Sequence, residues 1–144
     1  MDRQLAIIVE SIEPLSYNAK KRHRYAERII GAAARWQCPL LAGGRLYCKV
    51  LYFHQGRRGI DADNLSKPVV DALKGCIYGD DAQIALRIAA KVDLAHDAYT
   101  VVGGAGLPQY LELQAMIADP AAEKDILYVE VGDLARVDLR LGVL

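Results

Sequence analysis

The spacing of apolar and polar positions divides the chain into strand-like and helix-like stretches. Residues 5–11 form a short apolar run that predicts a first strand. Over 18–36 the apolar positions Tyr25, Ile29, Ala32, Ala33 and Trp36 recur at helical spacing and predict an amphipathic helix. Residues 38–44, opening on Cys38-Pro39, read as a turn, and 46–53 as a strand rich in aromatic and β-branched residues. A basic loop over 54–59 follows. A second helix is predicted over 66–74, with Asp63 or Asn64 as its N-cap and Pro68 in its first turn. Its apolar stripe is Val69, Ala72, Leu73 and Cys76, and Gly75 ends it. After a turn at Gly79-Asp80-Asp81, Ile84, Leu86, Ile88, Ala90 and Val92 alternate with Gln83, Arg87, Lys91 and Asp93. That alternation predicts a half-buried strand over 83–92. Further on, a helix is expected over 107–118 and a last core strand over 126–131. Val137, Leu139, Leu141 and Val143 alternate again and suggest an edge strand or a dimer contact.

The chemistry is concentrated between Arg57 and Ile84, in RRGIDADNLSKPVVDALKGCIYGDDAQI. Four of its carboxylates stand in two tight pairs, Asp61 with Asp63 and Asp80 with Asp81. Gathered carboxylates repel one another, and a fold that holds them together usually neutralises them with a cation. Their oxygens are the hard ligands that Mg²⁺ and Mn²⁺ select. If Asp61 and Asp63 lie on an extended segment, a spacing of two turns both toward one face. Lys67 lies just downstream, and Asp71, four residues later, reads as its partner along the helix. Asp80 fits either a second ligand or a residue that shapes the turn. An EF-hand loop is excluded, because the later positions it needs hold Leu65, Ser66 and Ala72. Acid pair, lysine and acid pair together suggest metal-assisted phosphodiester chemistry.

This block resembles the RusA family of Holliday junction resolvases, which are endodeoxyribonucleases. The resemblance runs through Asp61-x-Asp63-Asn64-x-x-Lys67, Asp71-Ala72-Leu73, Gly75 and Asp80-Asp81-x-Gln83, with a fainter echo at Pro14-x-Ser16-x-Asn18. The strong motif covers about a fifth of the chain, and a looser pattern covers roughly the first two thirds. The resemblance implies that Asp61, Asp63 and Asp81 bind the metal, with Asp80 as a further candidate, and that Lys67 is the family lysine. It implies a homodimer that cuts two symmetry-related strands of a four-way junction, with Mg²⁺ as cofactor and Mn²⁺ as the alternative. The elements and the resemblance together give an α+β fold: a small mixed sheet packed with two or three helices in a single domain, 1–144. Residues 94–125 then read as a family-divergent insertion carrying an extra helix.

Composition changes this picture in two places. The net charge is zero, yet residues 1–60 hold 11 Lys or Arg against 4 Asp or Glu, while residues 61–144 hold 7 against 14. A basic half beside an acidic half suits a phosphate-binding face next to a metal site. Lys20, Lys21, Arg22 and Arg24 near the start of the first long helix are candidate DNA-backbone contacts, as are Arg57 and Arg58 before the acidic motif. Cys38, Cys48 and Cys76 are odd in number and lack a C-x-x-C spacing; with no signal-like N-terminus they suggest a reducing cytoplasm, the protein being drawn to the nucleoid through DNA. The scattered His23, His54 and His96 show no zinc pattern, and no apolar run is long enough to span a membrane. Gly103-Gly104-x-Gly106 matches no nucleotide fingerprint and reads as a turn. Two other functions remain open to the sequence: a nuclease acting on other branched DNA or on RNA, and a non-catalytic module that binds branched DNA.

Overall fold

The computed structural model describes residues 3–10, 12, 19–56, 62–97, 108–119 and 125–137, the side chains of 19–22, 63 and 136 excepted. Four strands form one mixed sheet: β1 (Gln4–Glu10), β2 (Leu46–His54), β3 (Ile84–Asp93) and β4 (Ile126–Asp133), in the order β1-β4-β2-β3. β4 runs antiparallel to both β1 and β2, and β2 runs parallel to β3. Three helices pack on it among the described residues: α1 (Ala19–Arg35), α2 (Ala62–Leu73) and α3 (Pro108–Ala118). The α+β class and the mixed sheet agree with the sequence expectation.

Side-chain alternation on the strands gives each face its own core. One face carries Leu5, Ile7 and Val9 of β1, Leu127, Val129 and Val131 of β4, and Cys48, Val50 and Tyr52 of β2. Tyr25, Ile29, Ala32 and Ala33 of α1 pack there with Leu65, Val69, Val70 and Leu73 of α2, which are the stripes that the periodicity predicted. The other face carries Ala6, Ile8, Phe53, Ile126 and Tyr128, covered by Leu113 of α3.

Parallel strands need a crossover, and α2 supplies it between β2 and β3. It differs from expectation at its start. α2 begins at Ala62, so Asp63 and Asn64 are helical and neither is the cap; Pro68 lies in the helix interior and not in the first turn. β2 ends at His54, so Asp63 is on no strand and the shared extended face does not form. Two forces favour the earlier start. An aspartate in the first turn gains from the positive end of the helix dipole. The carbonyl of Asn64, which loses its donor to Pro68, belongs to an exposed residue that water can serve. Gly75 takes φ +80° just beyond the end, the left-handed turn expected of it.

β4 is more central than a last strand suggests, lying between β1 and β2 with Ile126 through Gly132 buried. Its Glu130, 2% exposed, accepts hydrogen bonds from the hydroxyls of Tyr47, Tyr110 and Tyr128 and lies 3.8 Å from Lys49 Nζ. β2, α3 and β4 meet at this carboxylate. Burial pushes its pKa up, but the three phenol donors and Lys49 outweigh that and hold it below the ordinary glutamate value. A carboxylate depressed in the folded state stabilises above its unfolded pKa and loses that contribution as pH falls through the folded one. Glu130→Leu leaves the phenols without an acceptor and is expected to cost about 3 kcal/mol at pH 7. Thermal unfolding at pH 7 and at pH 3 should show the gap to wild type narrowing in acid; an equal gap at both would contradict an ionised Glu130.

Of the C-terminal alternating positions, Val137 is described and is not in a strand; the rest fall outside the described residues, as does the glycine-rich run at 103–106. No described helix is long and apolar enough to cross a membrane.

Candidate active site

The topology brings some of the predicted residues together and separates others. β1 and β4 are antiparallel, as are β4 and β2, so β1 and β2 point the same way. α1 follows the end of β1 and α2 follows the end of β2. The two helix N-termini therefore lie on the side of the sheet's carboxyl edge, where the ends of β1 and β2 are about 10 Å apart across the one intervening strand. Arg28 of α1 donates to the Glu10 carbonyl at that edge. The start of α1 and the first turn of α2, which holds Asp63, consequently belong to one end of the molecule. The positive ends of two helix dipoles lie on that side, a setting suited to phosphate.

At this edge Asp63 stands in the first turn of α2; its side chain, and Asp61, Arg57 and Arg58 entirely, lie outside the described residues. The side chains of Lys20, Lys21 and Arg22 are outside them too, while Arg24 is exposed and His23 pairs with Glu27 at 2.9 Å. Lys67 is one helical turn beyond Asp63, exposed, with Nζ 3.4 Å from Asp71 Oδ2, the predicted i,i+4 pair. His54, expected to open the basic loop, instead closes β2, is 6% exposed, and stacks on Tyr52 with ring centroids 5.1 Å apart. Its Nδ1 has no hydrogen-bond partner among the described residues. Nothing in the local sequence distinguishes a buried histidine from a loop one.

Asp80 and Asp81 stand at the opposite end of α2. They open β3, whose first residue, Ile84, is paired with Leu46, the first of β2. Asp81 is exposed and its Oδ2 lies 4.0 Å from Nζ of Lys74, just past the C-terminus of α2. Ten residues of helix separate Asp63 from Leu73, which is roughly 15 Å at 1.5 Å per residue. Lys67 and Asp71 pair along α2, and Lys74 just past its end pairs with Asp81. The length of α2 thus lies between the backbone of Asp63 and the Asp80–Asp81 turn.

The two members of the second cluster differ in use. Asp80 caps the 3₁₀ turn Asp81–Gln83: its Oδ1 accepts from Ala82 N–H at 3.0 Å, and its own N–H donates to Gln83 Oε1 at 3.1 Å. Asp80 thus shapes the turn through Oδ1. Asp81 keeps an exposed carboxylate with one long ion pair, which fits a hard-oxygen ligand for Mg²⁺. Among the described residues no three acidic, histidine or cysteine side chains converge on one metal position.

A family model for endodeoxyribonuclease RusA matches residues 13–101. The chain belongs to the RusA family. The matched span takes in α1, β2, α2 and β3 with both acidic clusters, and it ends before α3 and β4. RusA proteins are Holliday junction resolving endonucleases, so the chemistry of this fold is endonucleolytic cleavage of branched DNA. No curated protein gives a significant match.

Proposed function

We propose that this RusA-family chain is a metal-dependent, structure-selective endodeoxyribonuclease that resolves Holliday junctions by symmetric phosphodiester hydrolysis in DNA recombination and repair. The observation that carries the reading is the family match across both acidic clusters and the lysine between them. Asp61, Asp63 and Asp81 would hold Mg²⁺, with Mn²⁺ as the alternative. When bound, the metal supplies a water of lowered pKa and polarises the scissile phosphate. Lys67 stabilises the charge developing on that phosphate. Lys20, Lys21, Arg22, Arg24, Arg57 and Arg58 hold the flanking backbone, giving affinity and salt dependence with little sequence preference.

Because α2 holds Asp81 far from Asp63 within one chain, we assign the third carboxylate to a second copy. In a two-fold homodimer the Asp61–Asp63 end of each protomer would meet the Asp81 end of its partner, making two equivalent sites from one isologous interface. Two sites related by a dyad match two scissile strands related by the symmetry of a four-way junction.

Cleavage of four-way, three-way, flapped and linear substrates tests the assignment. Paired nicks concentrated on the four-way junction support a resolvase; equal cutting of flaps or linear duplex would contradict it. A second test isolates Lys67. Lys67→Met is expected to slow cleavage about 10²-fold with junction binding retained. Asp71→Asn, which removes only an exposed ion pair, should stay near the wild-type rate. Equal losses in single-turnover assays of the two variants would show that the ion pair, and not the lysine at the phosphate, matters.

A further inference from the structure

Every hydrogen-bonding position of the Gln83 carboxamide is used. Oε1 accepts from the N–H of Gly79 at 2.9 Å and of Asp80 at 3.1 Å. Nε2 donates to the carbonyls of Leu41 at 3.2 Å and Gly43 at 3.0 Å. The first pair closes the capping box of the turn that carries Asp81. The second ties that turn to the 41–43 loop.

The loop is anchored in turn. Arg3 donates to the Ala42 carbonyl at 2.7 Å and the Gly43 carbonyl at 3.0 Å, and pairs with Asp133 at the end of β4 at 2.8 Å. Leu41 N–H donates to the Ile77 carbonyl at 2.6 Å. Asp81 itself has an exposed side chain and one long ion pair, so its place is set by the backbone of the turn and not by contacts of its own carboxylate.

We propose that Gln83 is a positioning residue: it locks the Asp80–Asp81 turn to the sheet edge so that the Asp81 carboxylate is held out for the metal. The inference rests on the reading of Asp81 as a ligand. A neutral carboxamide suits the position because it alone offers two donors and two acceptors there; glutamate cannot donate to the two carbonyls, and methionine cannot donate at all. Residues that orient a ligand from behind commonly change metal affinity while leaving substrate binding intact.

The test uses the full-length protein and the variants Gln83→Glu, Gln83→Met, Arg3→Gln and Asp81→Asn. Mn²⁺ binding is titrated by electron paramagnetic resonance without DNA, and the Mn²⁺ concentration for half-maximal junction cleavage is measured beside the thermal midpoint. Both Gln83 variants are expected to weaken Mn²⁺ binding and raise the half-maximal concentration about 10- to 100-fold, with cleavage recovering at high Mn²⁺. Gln83→Met adds no charge and keeps the test usable if Gln83→Glu fails to fold. Arg3→Gln loosens the same loop from its far side but leaves Gln83 tied to the turn, so it should lower the thermal midpoint with a smaller shift of the metal dependence. Wild-type Mn²⁺ binding in both Gln83 variants, or a shift in Arg3→Gln as large as theirs, would overturn the positioning role. Asp81→Asn separates the two claims. Lost Mn²⁺ binding in that variant with unaffected Gln83 variants defeats the Gln83 inference alone, whereas unchanged Mn²⁺ binding in Asp81→Asn defeats the ligand reading on which it rests.

Discussion

Asp63→Asn is expected to abolish cleavage of a four-way junction, by about 10³-fold or more, while the junction remains bound. The substitution keeps the size of the side chain and removes its charge, so the change falls on the metal. Asp63 lies in the first turn of α2, where the helix dipole also favours an anion, so some stability is lost as well. That loss is small, about 0.3–1 kcal/mol, and cannot account for three decades of rate. DNA affinity is expected to hold, because it comes from the basic run at the start of α1 and from Arg57 and Arg58. Gel-shift titration in EDTA beside single-turnover cleavage in Mg²⁺ checks both halves. Cleavage at the wild-type rate would remove Asp63 from the ligand set.

The second large effect concerns where the third ligand comes from. Asp63→Asn and Asp81→Asn are each expected to be inactive as homodimers. A mixed dimer, co-expressed with two tags and purified through both, is expected to recover activity. One of its two sites then joins the intact Asp63 of one protomer to the intact Asp81 of the other, while both substitutions fall in the other site. Such a dimer should nick one strand of the junction at about half the total wild-type rate and fail to make the paired cut. If each site lay within one protomer, both sites of the mixed dimer would carry a substitution and no activity would return. The separation of Asp63 from Asp81 by the length of α2 is the structural ground for expecting recovery.

Much of this arrangement could be read from the residues, and the parts that could not have physical reasons. Strands β1, β2 and β3 and helices α1 and α3 follow the predicted ranges within a residue or two; α1 and β3 owe this to clear periodicity, and β1 and β2 to apolar runs bounded by polar or turn residues. The Lys67–Asp71 pair follows from helical spacing alone. The start of α2 was misread because Pro68 looks like a first-turn marker, and Asp-x-Asp has the period of a strand as readily as it opens a helix. The earlier start puts Asp63 inside the helix, so that most of the length of α2 lies between its backbone and the Asp80–Asp81 turn. The central place of β4 was equally hidden, since strand order depends on pairing across the whole chain and local pattern does not encode it. The same holds for Glu130, which looks like an ordinary glutamate until three tyrosines from β2, α3 and β4 converge on it. Gln83 stood inside the recognised motif, but its task became visible once the 41–43 loop was placed against it.

The most direct measurement is cleavage of a synthetic four-way DNA junction by the purified chain in Mg²⁺, in Mn²⁺ and in EDTA, beside a linear duplex of matched sequence. The account predicts paired nicks at symmetry-related positions of the junction with either metal, none in EDTA, and none on the linear duplex. Tight junction binding without cutting under either metal would contradict it, and would make the aspartate clusters structural features of a branched-DNA-binding protein.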